Sequence, residues 1–591
     1  MKHFVSGLLI LAACAGRSFA AAPPTMPFSD VRAGMRGTAR TVFEGTRVET
    51  IEVEVLGKIP NIGPRQNLIL ARCSGGPLAH TGILSGMSGS PVTIDGKLVG
   101  AIAYSWGFSS DAIAGITPIE EMLELRRLRS PAAERAADFR LDRGWRRALF
   151  DATALGDAWT EQLQRLGAAP RGTWKQPLGI GGFGAGGVAR IRTRLDAAGI
   201  PSVQASASGA TAEVAPPLEA GSAIGVKLVR GDVEVSATGT ATWVEGDELL
   251  AFGHPLFGLG PLDVPLTAAR VEALLPSLHQ SSRVAVPLAE VGALREDRTA
   301  GIYGRLGGRP QMIPVRVQLD GGAPNRSFSF DVADDPLLAP VLLYLSLVGI
   351  LDSAERTAGQ VTLRLASGSV IKLEDGRDVQ LDNVFAGTQA ATFATGLPAY
   401  VLHLLMNNAW SPPRIVGVNI LLEYAEQPRT VRLVRAVADR YRVTPGETVE
   451  LEITLEPFRG PRRRLRASVR VPDGQPPGSW TLLVAGPAIV QRDEMAEEPV
   501  LPRDLDQLVG LINRLRRNDR VYIVAREPDT GWIIDGTRLA NLPPSVAAVL
   551  GRPGGRGSRL TLPFRHAVEE SLAAGDVVEG SVRIELEVLP R

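Results

Sequence analysis

Among the 591 residues, Gly86-Met87-Ser88-Gly89 has the clearest capacity for chemistry. A serine between glycines suits a tight turn in which small residues let backbone N–H groups converge on one point, which is how an oxyanion hole is built. The same residues also suit a purely structural turn. Pro91 then fixes φ at the start of a predicted strand, Val92 to Ile94, and Asp95-Gly96 signals a two-residue hairpin leading to a partner strand from Leu98 to Tyr104. Ser88 is therefore expected on a rigid β scaffold. His254 is the second candidate. It follows the apolar run Leu249 to Phe252 and then Gly253, which places it to project from a strand end into a cleft. Position alone also describes a core or loop histidine. His80, close in sequence to Ser88, is the rival base, while His279, His403 and His566 sit in apolar or helical settings. No pair has metal-ligand spacing such as His-Glu-x-x-His, so neither a metal nor a cofactor is expected.

With their neighbours, these residues resemble a known family. Thr81 to Pro91 and Gly96 to Ala101, followed by Ser105-Trp106-Gly107, resemble the nucleophile region of chymotrypsin-type serine peptidases and, within that group, the SpoIVB sporulation peptidases. Thr238 to Thr242, Ala251 to His254, Arg295-Glu296-Asp297 and Ala300 to Gly304 resemble that family's histidine-bearing half. The resemblance implies a chymotrypsin-like double β-barrel built from two separated halves. In it Ser88 is the nucleophile and His254 the general base. The N–H groups of Gly86 and Ser88 form the oxyanion hole, and Ser105, Trp106 and Gly107 lie beside the substrate backbone. The resemblance further implies an acid some tens of residues after the histidine. Asp297 fits that layout and Asp263 is the alternative, although each also suits a turn or surface carboxylate.

Two departures stand out. In the family the histidine half precedes the serine half, whereas here Ser88 comes first. The family's aspartate shortly before the nucleophile has no counterpart in Arg72-Cys73-Ser74-Gly75-Gly76. The halves can still pair in space, because a triad is defined by geometry and not by chain order. The implied function is a serine endopeptidase making regulatory cuts in a protein or peptide substrate of the cell envelope. A catalytically inactive binding or assembly protein of the envelope is the alternative.

The elements that must position these residues read as mainly β. Gly 64 and Pro 43 with few aromatic residues suggest many turns and short strands, and the length suggests about three to five domains. Residues 23–130 form the serine half, 131–215 a helical, glycine-rich connection, 216–330 the histidine half, 331–427 a mixed α/β scaffold, 428–500 a β-sandwich and 501–591 a small α/β region. Gly179 to Gly184 satisfies Gly-x-Gly-x-x-Gly. It lacks the preceding strand and the later acid that dinucleotide binding requires, so it reads as a glycine loop entering a helix near Val188. Pro336 to Leu351 is apolar but short and interrupted by Pro340, which favours a buried helix over a membrane span.

Lys+Arg 64 against Asp+Glu 63 leaves a net charge of +1, so no nucleic-acid partner is expected. Lys2, the apolar run Phe4 to Ala13 and the small residues from Ser18 to Ala22 read as a signal peptide over 1–22, and hence as export to the periplasm or beyond. Leu11-Ala12-Ala13-Cys14 also matches a lipoprotein box, in which a lipidated Cys14 would tether the protein to a membrane. Cys73 is then the one cysteine left, which excludes a disulfide framework and points to a core position.

Overall fold

The computed structural model of the chain describes residues 24–590 except 108, 129–144, 169–176, 208–213, 322–325, 356–358, 409, 411, 498–501, 529–531, 535–536, 540–541, 551–558 and 562–563. The expected signal peptide, Cys14 and the helix expected at Ala132 to Arg140 lie outside the described residues.

Six strands, β1 (Arg36–Val42), β2 (Val48–Gly63), β3 (Gln66–Ser74), β4 (Pro91–Ile94), β5 (Lys97–Ser105) and β6 (Ile113–Pro118), form a closed barrel in the order β1-β2-β3-β6-β5-β4. Period-two alternation turns Ile51, Val53 and Val55 of β2 inward to meet Ile69, Ala71 and Cys73 of β3. Burial pushes the Cys73 thiol up to about 12, which makes it an inert core group. Asp95 and Gly96 take φ of 50° and 72°, the pair of positive values that a type I′ hairpin needs.

After this barrel comes the helix Ala152–Gly167, whose start is capped by Asp151 accepting the N–H groups of Thr153 and Ala154. Then β7 (Leu178–Gly181), the helix Ala185–Ala197 and β8 (Ser202–Gln204) form a β-α-β unit with β7 and β8 parallel. Here the structure differs from the expected loop, because the first glycines of the motif lie within a strand. Their role is close packing. A Cβ on Gly182 would stand 2.2 Å from Asp232 O, and one on Gly187 would stand 2.3 Å from Gly349 O. Ser353 Oγ accepts the Gly184 N–H at 2.8 Å, so a side chain already caps this helix.

A second ring of six follows: β9 (Ala223–Gly231), β10 (Glu234–Glu245), β11 (Glu248–Ala251), β12 (Gly260–Leu275), β13 (Ser282–Arg298) and β14 (Gly301–Leu306). Its pairings run β9-β12-β13-β14-β11-β10 and return to β9, which closes the barrel. The chain is thus a double β-barrel, with the serine-bearing barrel first. Through β9 the second barrel continues into the strands 326–333, 312–320 and 415–425, so it shares one sheet and one core with the scaffold region. The helix Leu338–Ala354 is buried from Leu338 through Leu351. Among the described residues no helix is long and apolar enough to cross a membrane.

Two further sheets share one core that runs past the boundary expected at residue 500. One sheet joins strands 463–470, 448–457, 430–438 and 577–579, and the other joins 442–443, 581–588, 478–485, 520–528 and 564–573. Without those later strands the half containing Trp480, Leu482 and Val484 would leave its apolar face and strand edges uncovered. The helix Leu505–Asn513, capped by Asp504, turns Leu508, Val509 and Ile512 onto the scaffold core.

Candidate active site

Between the two barrels lies a seam whose apolar part joins Leu98, Ala101, Ile119 and Met122 of the first to Trp243, Leu250 and Tyr303 of the second. The Ser88 turn sits in this seam. Gly86 and Gly89 take φ of 98° and 96°, and a Cβ on Gly89 would stand 1.9 Å from Thr240 O. Only glycine satisfies both conditions.

The second barrel holds the turn by its carbonyl groups. Ser85 O accepts from Arg283 N at 3.0 Å, and Ser88 O accepts from Thr240 N at 2.8 Å. Gly86 O accepts from Thr240 Oγ1 at 3.0 Å, and Gly89 O accepts from Thr242 Oγ1 at 2.7 Å. Met87 O is taken within the turn by Ser90, from its N–H and its hydroxyl. The amides of Ser85, Met87 and Gly89 donate into the protein, to Ser281 O, Leu84 O and Ile102 O. The Gly86 N–H has no acceptor among the described residues, which leaves it available to an oxyanion.

His254 reaches the same seam from the other side. After β11 the chain reverses through Phe252 and Gly253, with φ of 69° and 71°. Thr117 Oγ1 of the first barrel donates to Gly253 O at 2.6 Å, and Gly253 packs against Ala101 and Ala103 of β5. The imidazole is fully buried, with Nδ1 2.8 Å from Pro255 O. A carbonyl only accepts, so the proton is on Nδ1 and Nε2 carries the lone pair. That Nε2 is buried without a hydrogen-bond partner, so no hydrogen bond joins it to Ser88. Burial pulls the His254 pKa down to about 4, against the Pro255 carbonyl, which pulls the other way.

Asp297 does not touch the imidazole directly. Its buried carboxylate accepts the N–H groups of Leu256 at 2.7 Å, Phe257 and Gly258 at 2.8 Å, and Leu259 at 3.3 Å. Burial raises its pKa above the usual carboxylate value, against those four donors. One peptide unit separates His254 from Asp297: the Pro255 carbonyl accepts from His254 Nδ1, and the Leu256 N–H of the same unit donates to Asp297. Asp263 is engaged elsewhere, with Arg295 at 2.5 Å and Gln311 N at 3.2 Å. His80 is exposed at the end of the turn 78–81.

Ser105 ends β5, and Trp106 is 46% exposed. A Cβ on Gly107 would stand 3.2 Å from His279 O, so the tip of the β12–β13 hairpin lies against this segment. His279 is thus an exposed hairpin-tip residue and not part of an apolar setting. Since Ser88 and His254 are both 0% exposed, a peptide chain reaches them only after a movement at the seam. Among the described residues no group of three or more His, Cys, Asp or Glu is placed to hold a metal ion.

Thr240, Thr242 and Arg283 brace the turn, a role that was not read from the sequence. The two threonines had a signal, since positions 240 and 242 of one strand share a face. Arg283, in Ser281-Ser282-Arg283-Val284, had none.

The low pKa of His254 has a consequence for stability. Unfolding returns the imidazole to about 6.5, so between pH 6.5 and 4 the unfolded chain binds a proton that the folded chain does not. Stability is expected to fall by about 3 kcal/mol as pH drops through that window. His403, also pulled down to about 4 by burial, adds in the same direction. Thermal melts across pH 7 to 4 check this, and His254→Gln should reduce the slope.

Residues 22–123 match the family described as SpoIVB peptidase S55. That span ends just after the first barrel, so the histidine-bearing barrel lies outside it. Neither the curated proteins nor the solved structures give a match.

Proposed function

We propose that this chain, whose serine-bearing barrel matches the SpoIVB peptidase S55 family, is an exported serine endopeptidase with its active site assembled between two barrels. The observation that supports this most is the state of His254. Its Nδ1 proton is committed to the Pro255 carbonyl and its Nε2 lone pair is bare, on the seam that also holds the Ser88 turn. In this reading Ser88 Oγ attacks a substrate carbonyl as His254 Nε2 takes its proton. The tetrahedral oxyanion is held by the N–H groups of Gly86 and Ser88, and the imidazolium then protonates the departing amine. Water repeats the sequence on the acyl-enzyme. The orienting part usually played by a carboxylate falls to the Pro255 carbonyl, with Asp297 fixing the loop that carries it. Ser105, Trp106 and Gly107 would line the substrate backbone once the hairpin tip is displaced. The amino-terminal pattern supports export, the family likeness supports an envelope substrate, and a lipidated Cys14 would tether the protein to a membrane.

Complete burial of Ser88 and His254 favours a second reading, a peptidase-like binding or assembly protein that does not cleave. Incubating an envelope fraction with the purified protein, and in parallel with Ser88→Ala, separates the two. A few new protein N-termini, seen by mass spectrometry with the unmodified chain alone, are expected for a regulatory peptidase. Identical patterns with both proteins would favour the binding protein.

A further inference from the structure

Arg283 lies in β13 and is 4% exposed. Nη1 donates to Val42 O at 2.6 Å and to Thr41 Oγ1 at 3.3 Å, and Nη2 donates to Thr240 Oγ1 at 3.0 Å. Nε is buried without a hydrogen-bond partner, and no carboxylate pairs with the guanidinium among the described residues. A buried cation without a counter-charge is strongly unfavourable, and the three hydrogen bonds offset that cost only in part. Its position shows what its field acts on. A Cβ on Gly86 would stand 2.9 Å from Arg283 Nε, so the guanidinium packs directly behind the nucleophile turn.

Arg283 also controls the turn from both sides of Gly86. Its own N–H holds Ser85 O, and through Thr240 Oγ1 its Nη2 holds Gly86 O. In a trans peptide the N–H points opposite to the carbonyl, so fixing Ser85 O towards Arg283 aims the Gly86 N–H away from it. Burial pulls the Arg283 pKa down to about 9, which leaves it a cation at neutral pH.

We infer that Arg283 is a positioning residue for the oxyanion hole. Its guanidinium holds the Gly86–Met87 peptide through Thr240, next to the Ser85–Gly86 peptide that its backbone N–H fixes, and supplies a fixed positive field behind the point where negative charge develops. This inference rests on the peptidase reading. A cation in a low-dielectric seam acts over several ångströms and needs no reorganisation during the reaction. Its effect belongs to the transition state and not to binding.

The test is the saturation kinetics of a fluorophosphonate probe on the full chain, which separates the inactivation rate kinact from the probe affinity KI. Arg283→Met is expected to lower kinact by about 10²-fold to 10³-fold with KI within about twofold, and Arg283→Lys to recover at least a tenth of the original rate. Thr240→Val, which keeps the cation but cuts its link to Gly86 O, is expected to lower kinact by about tenfold. If Arg283→Met fails to fold, as read by its melt, the lysine and valine variants decide. A folded Arg283→Met with unchanged kinact, or unchanged kinact in Thr240→Val where methionine does not fold, would overturn the role of Arg283 alone. Absence of labelling in the unmodified chain would overturn the peptidase reading and this role with it.

Discussion

Replacing His254 by glutamine is expected to slow phosphonylation of Ser88 by about 10⁴-fold or more, the scale of losing the general base from a serine peptidase site. The expectation follows from the tautomer. Because Pro255 O binds Nδ1, the imidazole offers Nε2 as an acceptor throughout the range in which it stays neutral. With its pKa pulled down to about 4, that range extends well below the usual histidine value. The labelling rate of the unmodified chain should therefore hold between pH 7 and 5 and fall through a midpoint near 4, where an unperturbed histidine would give about 6.5. Glutamine has no basic nitrogen, so both the rate and the acid limb should disappear. An acid limb that persists in His254→Gln would assign the titration to another group.

Gly89→Ala is expected to have the largest effect on folding. The new methyl group would stand 1.9 Å from Thr240 O and 2.6 Å from Phe252 N, both backbone atoms of the second barrel, and would occupy a φ of 96°. Overpacking of this kind typically costs 1–3 kcal/mol and a left-handed conformation 1–2 kcal/mol, so about 2–5 kcal/mol is expected. Relief requires the barrels to separate, which carries the Ser88 turn away from His254. The contrast is Gly96→Ala in the β4–β5 hairpin, where φ is 72° but nothing lies within 4 Å of the added atom. That change should cost only the backbone part, about 1–2 kcal/mol. Thermal melts read both, and equal effects would mean that the seam can open at little cost.

Both expectations depend on a site whose parts were unequally legible in the sequence. The Ser88 turn and its hairpin could be read because they are local: Gly86, Gly89, Pro91 and Asp95-Gly96 each specify a backbone shape at their own position. His254 could be read as a strand-end histidine for the same reason, though its protonation partner could not. Pro255 O is a backbone group, and hydrogen bonding by the backbone leaves no mark on residue type. The loop clamp by Asp297 was hidden similarly, since its four partners are amides and any residue but proline supplies one. The braces Thr240 and Arg283 act across more than 150 residues of chain, and that pairing is set by how two closed barrels dock.

The same difference in range explains the fold. Strands β4 and β5 announced themselves by Pro91 and the Asp95-Gly96 turn, and β11 by its apolar run. The sandwich seemed to end at residue 500 because the partners of strand 478–485 lie at 520–528 and 581–588, beyond intervening helices. The β7 strand escaped notice because Leu178-Gly179-Ile180-Gly181 holds too few apolar side chains to show a period, and its place is set by pairing with β10 and β8.

The most direct measurement is to treat the purified full-length protein with a fluorophosphonate probe and locate the modified residue by mass spectrometry, with Ser88→Ala alongside. An activated nucleophile at the seam gives one modified serine, Ser88, and no modification of a folded Ser88→Ala. A folded, unmodified chain that takes up no probe, or that takes it up equally in Ser88→Ala, would contradict a working active site between the two barrels.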